Sequence, residues 1–263
     1  MQRVILKTKK AGALALGCSL VAAAQAQVID ALNGDSLSGY TTTLVLDNSS
    51  GAGRSVSFSD GSGSLVSSYV GTGTTAEQSL FLAPATSFAS TFAVGDTLLI
   101  DTAVPVSTTQ MDFGLAISAA NPVAASAGNN YNSRTAFDWA SINLRPSQTA
   151  IRTSVSVSGI LTTGGGTIGI SPTSVTGLYI QWVSADVFNL GYINTSSTEV
   201  LDQTVTFGPG STIGTDIGFY GDLRATGTSL GSFSDLSIVP EPSTLALCGL
   251  GLAGVAGIVR RRG

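Results

Sequence analysis

Histidine is absent from all 263 residues. Its absence removes Ser-His-Asp triads, most zinc sites and imidazole-based proton transfer from the chemistry open to the chain. Cysteine occurs only as Cys18 and Cys248, one towards each end, so no disulfide can form between Gln27 and Val239. A body of about 210 residues buries enough surface to fold without one. Lysine is confined to Lys7, Lys9 and Lys10, and charged residues make up only 11% of the chain. Between Gln27 and Val239 five arginines face thirteen aspartates plus Glu77 and Glu199, a net charge of −10 against −4 for the whole chain. Such a body is repelled by phosphate backbones, which argues against nucleic acid as a partner. Helical patterning is missing too. No stretch of the body sustains a 3.6-residue period for three turns, and 32 glycines with abundant Ser and Thr disfavour helix.

What the body does have is alternation. Met111, Phe113, Leu115 and Ile117 alternate with Asp112, Gly114, Ala116 and Ser118, as expected of a sheet with one buried face. The runs Ile151–Val157, Leu178–Trp182, Val205–Phe207 and Ile217–Phe219 repeat the pattern. Shorter candidate strands lie at Thr42–Leu46, Ser55–Ser59, Ser64–Tyr69, Leu80–Leu82, Thr97–Ile100, Phe137–Leu144, Asn189–Asn194 and Phe233–Ile238. Glycine-, serine- and asparagine-rich turns separate them, at 48–53, 60–63, 71–74, 164–166 and 208–210. A dozen or so strands in one body pack most simply as two antiparallel sheets. The expected fold class is therefore an all-β antiparallel sandwich of jelly-roll type, spanning Gln27–Val239.

Both ends read as membrane-directed segments. Arg3, Lys7, Lys9 and Lys10 precede the apolar run Ala11–Ala23, and Ala24-Gln25-Ala26 places small residues where a signal peptidase reads. Residues 1–26 are thus expected to be a signal peptide cut before Gln27. At the other end Ser243–Val259 carries no charge, and Arg260, Arg261 and Arg262 follow it directly. Seventeen residues at about 1.5 Å each give roughly 26 Å of helix, close to the lower limit for a single transmembrane helix. The arginines would hold that helix's end on the cytoplasmic side. Between body and span stands Pro240-Glu241-Pro242, whose prolines fix φ and withhold donors. These residues are expected to form an exposed, extended hinge outside the preceding strand.

Pro-Glu-Pro, an apolar helix and a terminal arginine cluster, in that order, resemble the PEP-CTERM sorting signal of bacterial exported proteins. The resemblance covers residues 240–263. It implies export across the inner membrane of a Gram-negative-type bacterium, transient anchoring there, and cleavage by a membrane-embedded exosortase. The mature protein would then reach the cell surface or extracellular matrix. Secretion machinery, signal peptidase and exosortase are the partners this implies. Two further stretches are similar to jelly-roll domains of the concanavalin-like type: Val94-Gly95-Asp96-Thr97-Leu98 with Met111–Leu115, and Ile217–Tyr220 with Gly231–Ile238.

Concanavalin-like folds include sugar-cleaving and sugar-binding proteins, so the resemblance implies two possible chemistries for the body. A glycosidase needs two carboxylates flanking the scissile bond, and no strand of the body carries acidic residues at i and i+2. A sugar site combines an aromatic platform with planar polar groups, sometimes with calcium on loop carboxylates. Asn129, Asn130, Tyr131, Asn132, Arg134, Asp138 and Trp139 supply those types in one loop and the strand after it. Against that, Trp139 follows the alternation of Phe137 and reads as core. The resulting expectation is a non-enzymatic, cofactor-free structural or adhesive protein associated with exopolysaccharide. A carbohydrate-binding module of the same fold is the alternative and a glycoside hydrolase the second.

Overall fold

The computed structural model describes residues 26–30, 41–47, 55–61, 64–70, 77–83, 92–103, 111–119, 137–145, 148–166, 169–211, 213, 216–223 and 229–241. Its strands run in chain order as β1 (Gln27–Asp30), β2 (Thr41–Asp47), β3 (Ser55–Gly61), β4 (Ser64–Val70) and β5 (Glu77–Ala83). Then follow β6 (Asp96–Ala103), β7 (Met111–Ser118), β8 (Trp139–Arg145), β9 (Ala150–Val157) and β10 (Ile160–Gly165). The last five are β11 (Val175–Ser184), β12 (Val187–Asn194), β13 (Glu199–Thr206), β14 (Asp216–Leu223) and β15 (Ser229–Pro240). A short 3-10 turn at Pro172–Ser174 leads into β11.

The strands form two sheets. One has eight strands, in the order β13-β12-β11-β6-β15-β4-β3 with β1 also paired to β15. The other has seven, in the order β10-β9-β8-β7-β14-β5-β2. All neighbours are antiparallel, and the chain crosses between the sheets from β1 to β2, β2 to β3, β4 to β5, β5 to β6, β6 to β7, β10 to β11, β13 to β14 and β14 to β15. That alternation of sheets along the chain is a jelly-roll winding. Two hairpin runs extend it sideways: β8-β9-β10 in the smaller sheet and β11-β12-β13 in the larger.

The period-2 pattern decides which side chains meet between the sheets. Phe113, Leu115 and Ile117 of β7, with Ile142 and Leu144 of β8, are fully buried in the inter-sheet core. Leu178 and Ile180 of β11 and Leu98 and Ile100 of β6 face them from the larger sheet. At the centre Phe233 of β15 contacts Phe113 edge-on at 5.4 Å and stacks on Phe219 of β14 at 5.3 Å. Such ring pairs add to the benefit of burying the rings themselves. A polar contact also crosses the gap, where the Thr153 hydroxyl of β9 donates to the Gln203 side chain of β13.

Some elements differ from the periodic reading. Strand β1 and most of β13 carry too few large apolar residues to stand out, and β10 runs through Gly164 and Gly165, which read as a turn. Each is held by its neighbour's backbone instead: β10 by β9, β13 by β12, and β1 by β15. Phe137 lies just before β8 rather than within it. The expected transmembrane segment Ser243–Val259 lies outside the described residues.

Phe233 joins two sheets through two rings, so Phe233→Ala should destabilise the Gln27–Glu241 region by about 3–5 kcal/mol. Urea denaturation of that fragment measures it. With no cysteine between Gln27 and Glu241, adding a reductant should leave the midpoint of the parent fragment unchanged.

Candidate functional site

One end of the eight-stranded sheet carries the sequence's strongest motif. The chain enters β6 through a tight turn, in which the Asp96 N–H donates to Ala93 O at 3.0 Å and the Ala93 N–H donates to Asp96 Oδ2 at 2.9 Å. Gly95 takes φ +96° at the third position of that turn, a conformation suited to glycine. Its N–H donates to Trp182 O at 2.7 Å, tying the turn to β11. Beneath it Phe92, Trp182 and Phe188 pack ring on ring, at 5.4 and 5.2 Å. The turn is therefore a fixed platform.

The first two residues of Pro-Glu-Pro lie on this platform, which corrects the expectation of a free hinge. Pro240 is the last residue of β15 and pairs with Asp96. The Glu241 N–H donates to Gly95 O at 3.1 Å. Hydrogen-bonded and non-hydrogen-bonded pairs alternate in an antiparallel ladder, so Pro240 falls at a non-hydrogen-bonded position towards β6, where its missing N–H costs nothing. On its other side β1 pairs no further along than Gln27 with Ile238. Proline is tolerated here because neither neighbour asks it for a donor.

Glu241 is also held through its side chain. Across the outer face of the sheet the Thr204 hydroxyl donates to Asn189 Oδ1 at 2.7 Å. The Asn189 amide donates to Gln181 Oε1 at 3.0 Å, and the Gln181 amide donates to Glu241 Oε1 at 2.7 Å. Thr204, Asn189 and Gln181 lie opposite one another on β13, β12 and β11. Partial burial raises the Asp96 carboxyl above its ordinary pKa, the hydrogen bond from Ala93 opposes that, and the nearby Glu241 charge adds to the rise. The other processing residues are placed as follows. Ala26 and Gln27 are exposed, with Gln27 the first residue of β1. Ala24, Pro242, Arg260, Arg261 and Arg262 lie outside the described residues.

The loop considered for sugar or calcium is described only at its end. Asn129, Asn130, Tyr131, Asn132 and Arg134 lie outside the described residues. Asp138 is taken up by the fold: its Oδ1 accepts the Ser158 N–H at 2.7 Å and its Oδ2 accepts the Ser211 hydroxyl at 3.4 Å. Trp139 is fully buried and stacks on Tyr220 at 5.6 Å. With Ala116 and Phe137 these two form a second cluster, on the face of the seven-stranded sheet turned away from the inter-sheet core.

That face is polar elsewhere and also buried. Arg145 makes a two-pronged ion pair with both oxygens of Asp112, and the Asn143 amide donates to Ser141 Oγ at 3.0 Å. Asn143 lies directly over Gly114, where an added Cβ would sit 1.9 Å from Ile142 O. Neither the Asp112–Arg145 pair nor the Thr204–Asn189–Gln181 ladder was singled out from the sequence. Both depend on which strands are neighbours, which spacing along one strand does not encode.

Residues 239–262 match the PEP-CTERM protein-sorting motif. No curated protein matches the sequence. Solved structures similar to this chain include a Shewanella oneidensis MR-1 protein of unknown function, at 13% identity over 80% of this chain and 90% of that one, with TM-score 0.41. A Bacillus licheniformis beta-glucanase is similar at 10% identity over 81% of this chain and 96% of its own, with TM-score 0.44. A lectin, UEA-II in complex with galactose, is similar at 9% identity over 77% and 99%, with TM-score 0.42. Likenesses of this degree transfer neither ligand nor activity to the chain.

Trp139→Ala should cost about 3–5 kcal/mol, as expected for emptying a buried aromatic site, and chemical denaturation measures it. Unchanged stability would show that the ring is free for another role. On the outer face of the larger sheet Tyr179 lies over Gly191. Burial, then the Glu199 and Asp202 charges, push its phenol up to about 12 from 10.0. Its contribution to stability is therefore complete below pH 10 and lost as pH rises through about 12. An absorbance titration of tyrosinate should show a late-ionising component that Tyr179→Phe removes.

Proposed function

We propose that this chain is a non-enzymatic β-sandwich delivered to the cell surface, with a structural or adhesive role beside exopolysaccharide. The coarse part of this reading follows from the sorting motif, which marks an exosortase-targeted exported protein. The observation that carries the rest is the junction itself. The matched motif begins on β15, so the sandwich is joined to the sorting signal with no intervening linker. Such a protein is a domain prepared for delivery, passed from signal peptidase at Ala26 to exosortase near Pro240–Pro242 across the inner membrane.

A non-enzymatic role is supported by how three of the described carboxylates are used. Asp112 is bound by Arg145, Asp138 by Ser158 and Ser211, and Asp96 by its own turn. Glu199 is exposed on the edge strand β13. An acid–base pair for glycoside cleavage needs two carboxyl groups facing one bond, and Asp112, Asp138 and Asp96 already serve the fold. Trp139 and Asp138 are committed in the same way, which weighs against the sugar-binding module.

The processing test is the mass of the surface-exposed protein in a host that carries the exosortase. The expected species begins at Gln27 and ends near Pro240–Pro242. A C-terminal peptide that still contains Leu245–Val259 would make the tail a permanent anchor and overturn the reading. Replacing Arg260–Arg262 with neutral residues should weaken retention of the span.

A further inference from the structure

We infer that Gln181 is a positioning residue for processing: backed by Asn189 and Thr204, it latches Glu241 of the sorting motif onto the eight-stranded sheet, and cleavage waits on release of that latch. The inference rests on the exosortase reading above.

Three observations point to it. The hydrogen bonds of the ladder run in one direction, from Thr204 through Asn189 and Gln181 to Glu241, so each side chain fixes the orientation of the next. The last acceptor is the charged one, and hydrogen bonds to a charged acceptor are the stronger kind. The backbone repeats the hold, since Pro240 pairs with Asp96 and the Glu241 N–H binds Gly95 O. A segment seated in a sheet cannot at the same time lie extended in a protease.

The third observation is length. Only Pro242 separates Glu241 from the apolar run that starts at Ser243. With Glu241 seated, the sheet end is within roughly 7 Å of the start of the span, at about 3.5 Å per residue. Peeling Val239, Pro240 and Glu241 from β6 lengthens that tether to roughly 17 Å. The seated state keeps this tether short and the backbone at Pro240–Glu241 hydrogen-bonded, whereas the released state gives an enzyme a longer, free segment. Gln181 and Asn189 are half-buried, and Thr204 and Glu241 are exposed. The ladder is thus separate from the core and can open without unfolding it.

The test follows full-length protein in a host carrying the exosortase, by pulse–chase, comparing the parent with Gln181→Ala, Gln181→Glu and Thr204→Ala. Hydrogen exchange at the Glu241 amide is measured on the same proteins in detergent. Cleavage should accelerate roughly fivefold in Gln181→Ala, about the factor for one hydrogen bond to a charged group at an exposed site. Gln181→Glu, which sets like charges together, should cleave faster still, and exchange at Glu241 should rise in parallel while the melting temperature holds. Thr204→Ala, at the exposed far end, gives a smaller change of the same sign and remains informative if a Gln181 variant misfolds. Cleavage that stays at the parental rate or slows, with exchange raised, would overturn the latch and show that the sheet presents the motif instead. A parent and variants that all stay uncut would instead remove the processing reading itself.

Discussion

Each sheet is two halves until the last two strands join them. Strand β14 inserts between β7 and β5, and β15 inserts between β6 and β4. Before that, β13-β12-β11-β6 has no backbone link to β4-β3, and β10-β9-β8-β7 has none to β5-β2. Phe219 and Phe233, the stacked rings at the centre, arrive on these same two strands. The sandwich therefore cannot close until residues 216–240 are in place, and its pairings are long-range in sequence, which slows folding. In an exported chain this couples completion of the fold to the end of translocation.

The same constraint explains why the sorting motif is part of the sheet. The strand that completes the fold is also the strand that leads into the sorting motif, and the larger sheet's ladder continues into the motif before it lets go. On the other side of β15, Gln27 pairs with Ile238, so the residue expected to become the mature N-terminus lies beside the start of the sorting signal. The expected mature N-terminus and the first residues of the sorting motif are thus at one end of one sheet.

The sandwich was legible because its core obeys one rule. Phe113, Leu115 and Ile117 alternate on β7, and Ile142 and Leu144 on β8, so the buried face could be read off residue by residue. Trp139 was legible as buried, but it shares parity with Ser141 and Asn143 rather than with Ile142, and it belongs to the opposite face. The hinge at Pro240 was misread because proline's missing donor was taken as a general obstacle, when its effect depends on which pair it occupies. Gln181 and Glu241 are 60 residues apart, and strand order, which alone brings them together, leaves no trace in local periodicity. The Asp112–Arg145 pair was hidden for the same reason.

The placement of β15 also decides how the molecule would carry load. Among the described residues β15 is the longest strand, 12 residues, and it is flanked by β6 on one side and by β4 and then β1 on the other. A pull on its C-terminal end runs along the strand axis, while the ladder bonds lie across it. Those bonds are stressed together in shear rather than opened one at a time as in a zipper. A protein tethered through this end would resist tension with nearly the whole length of its central strand.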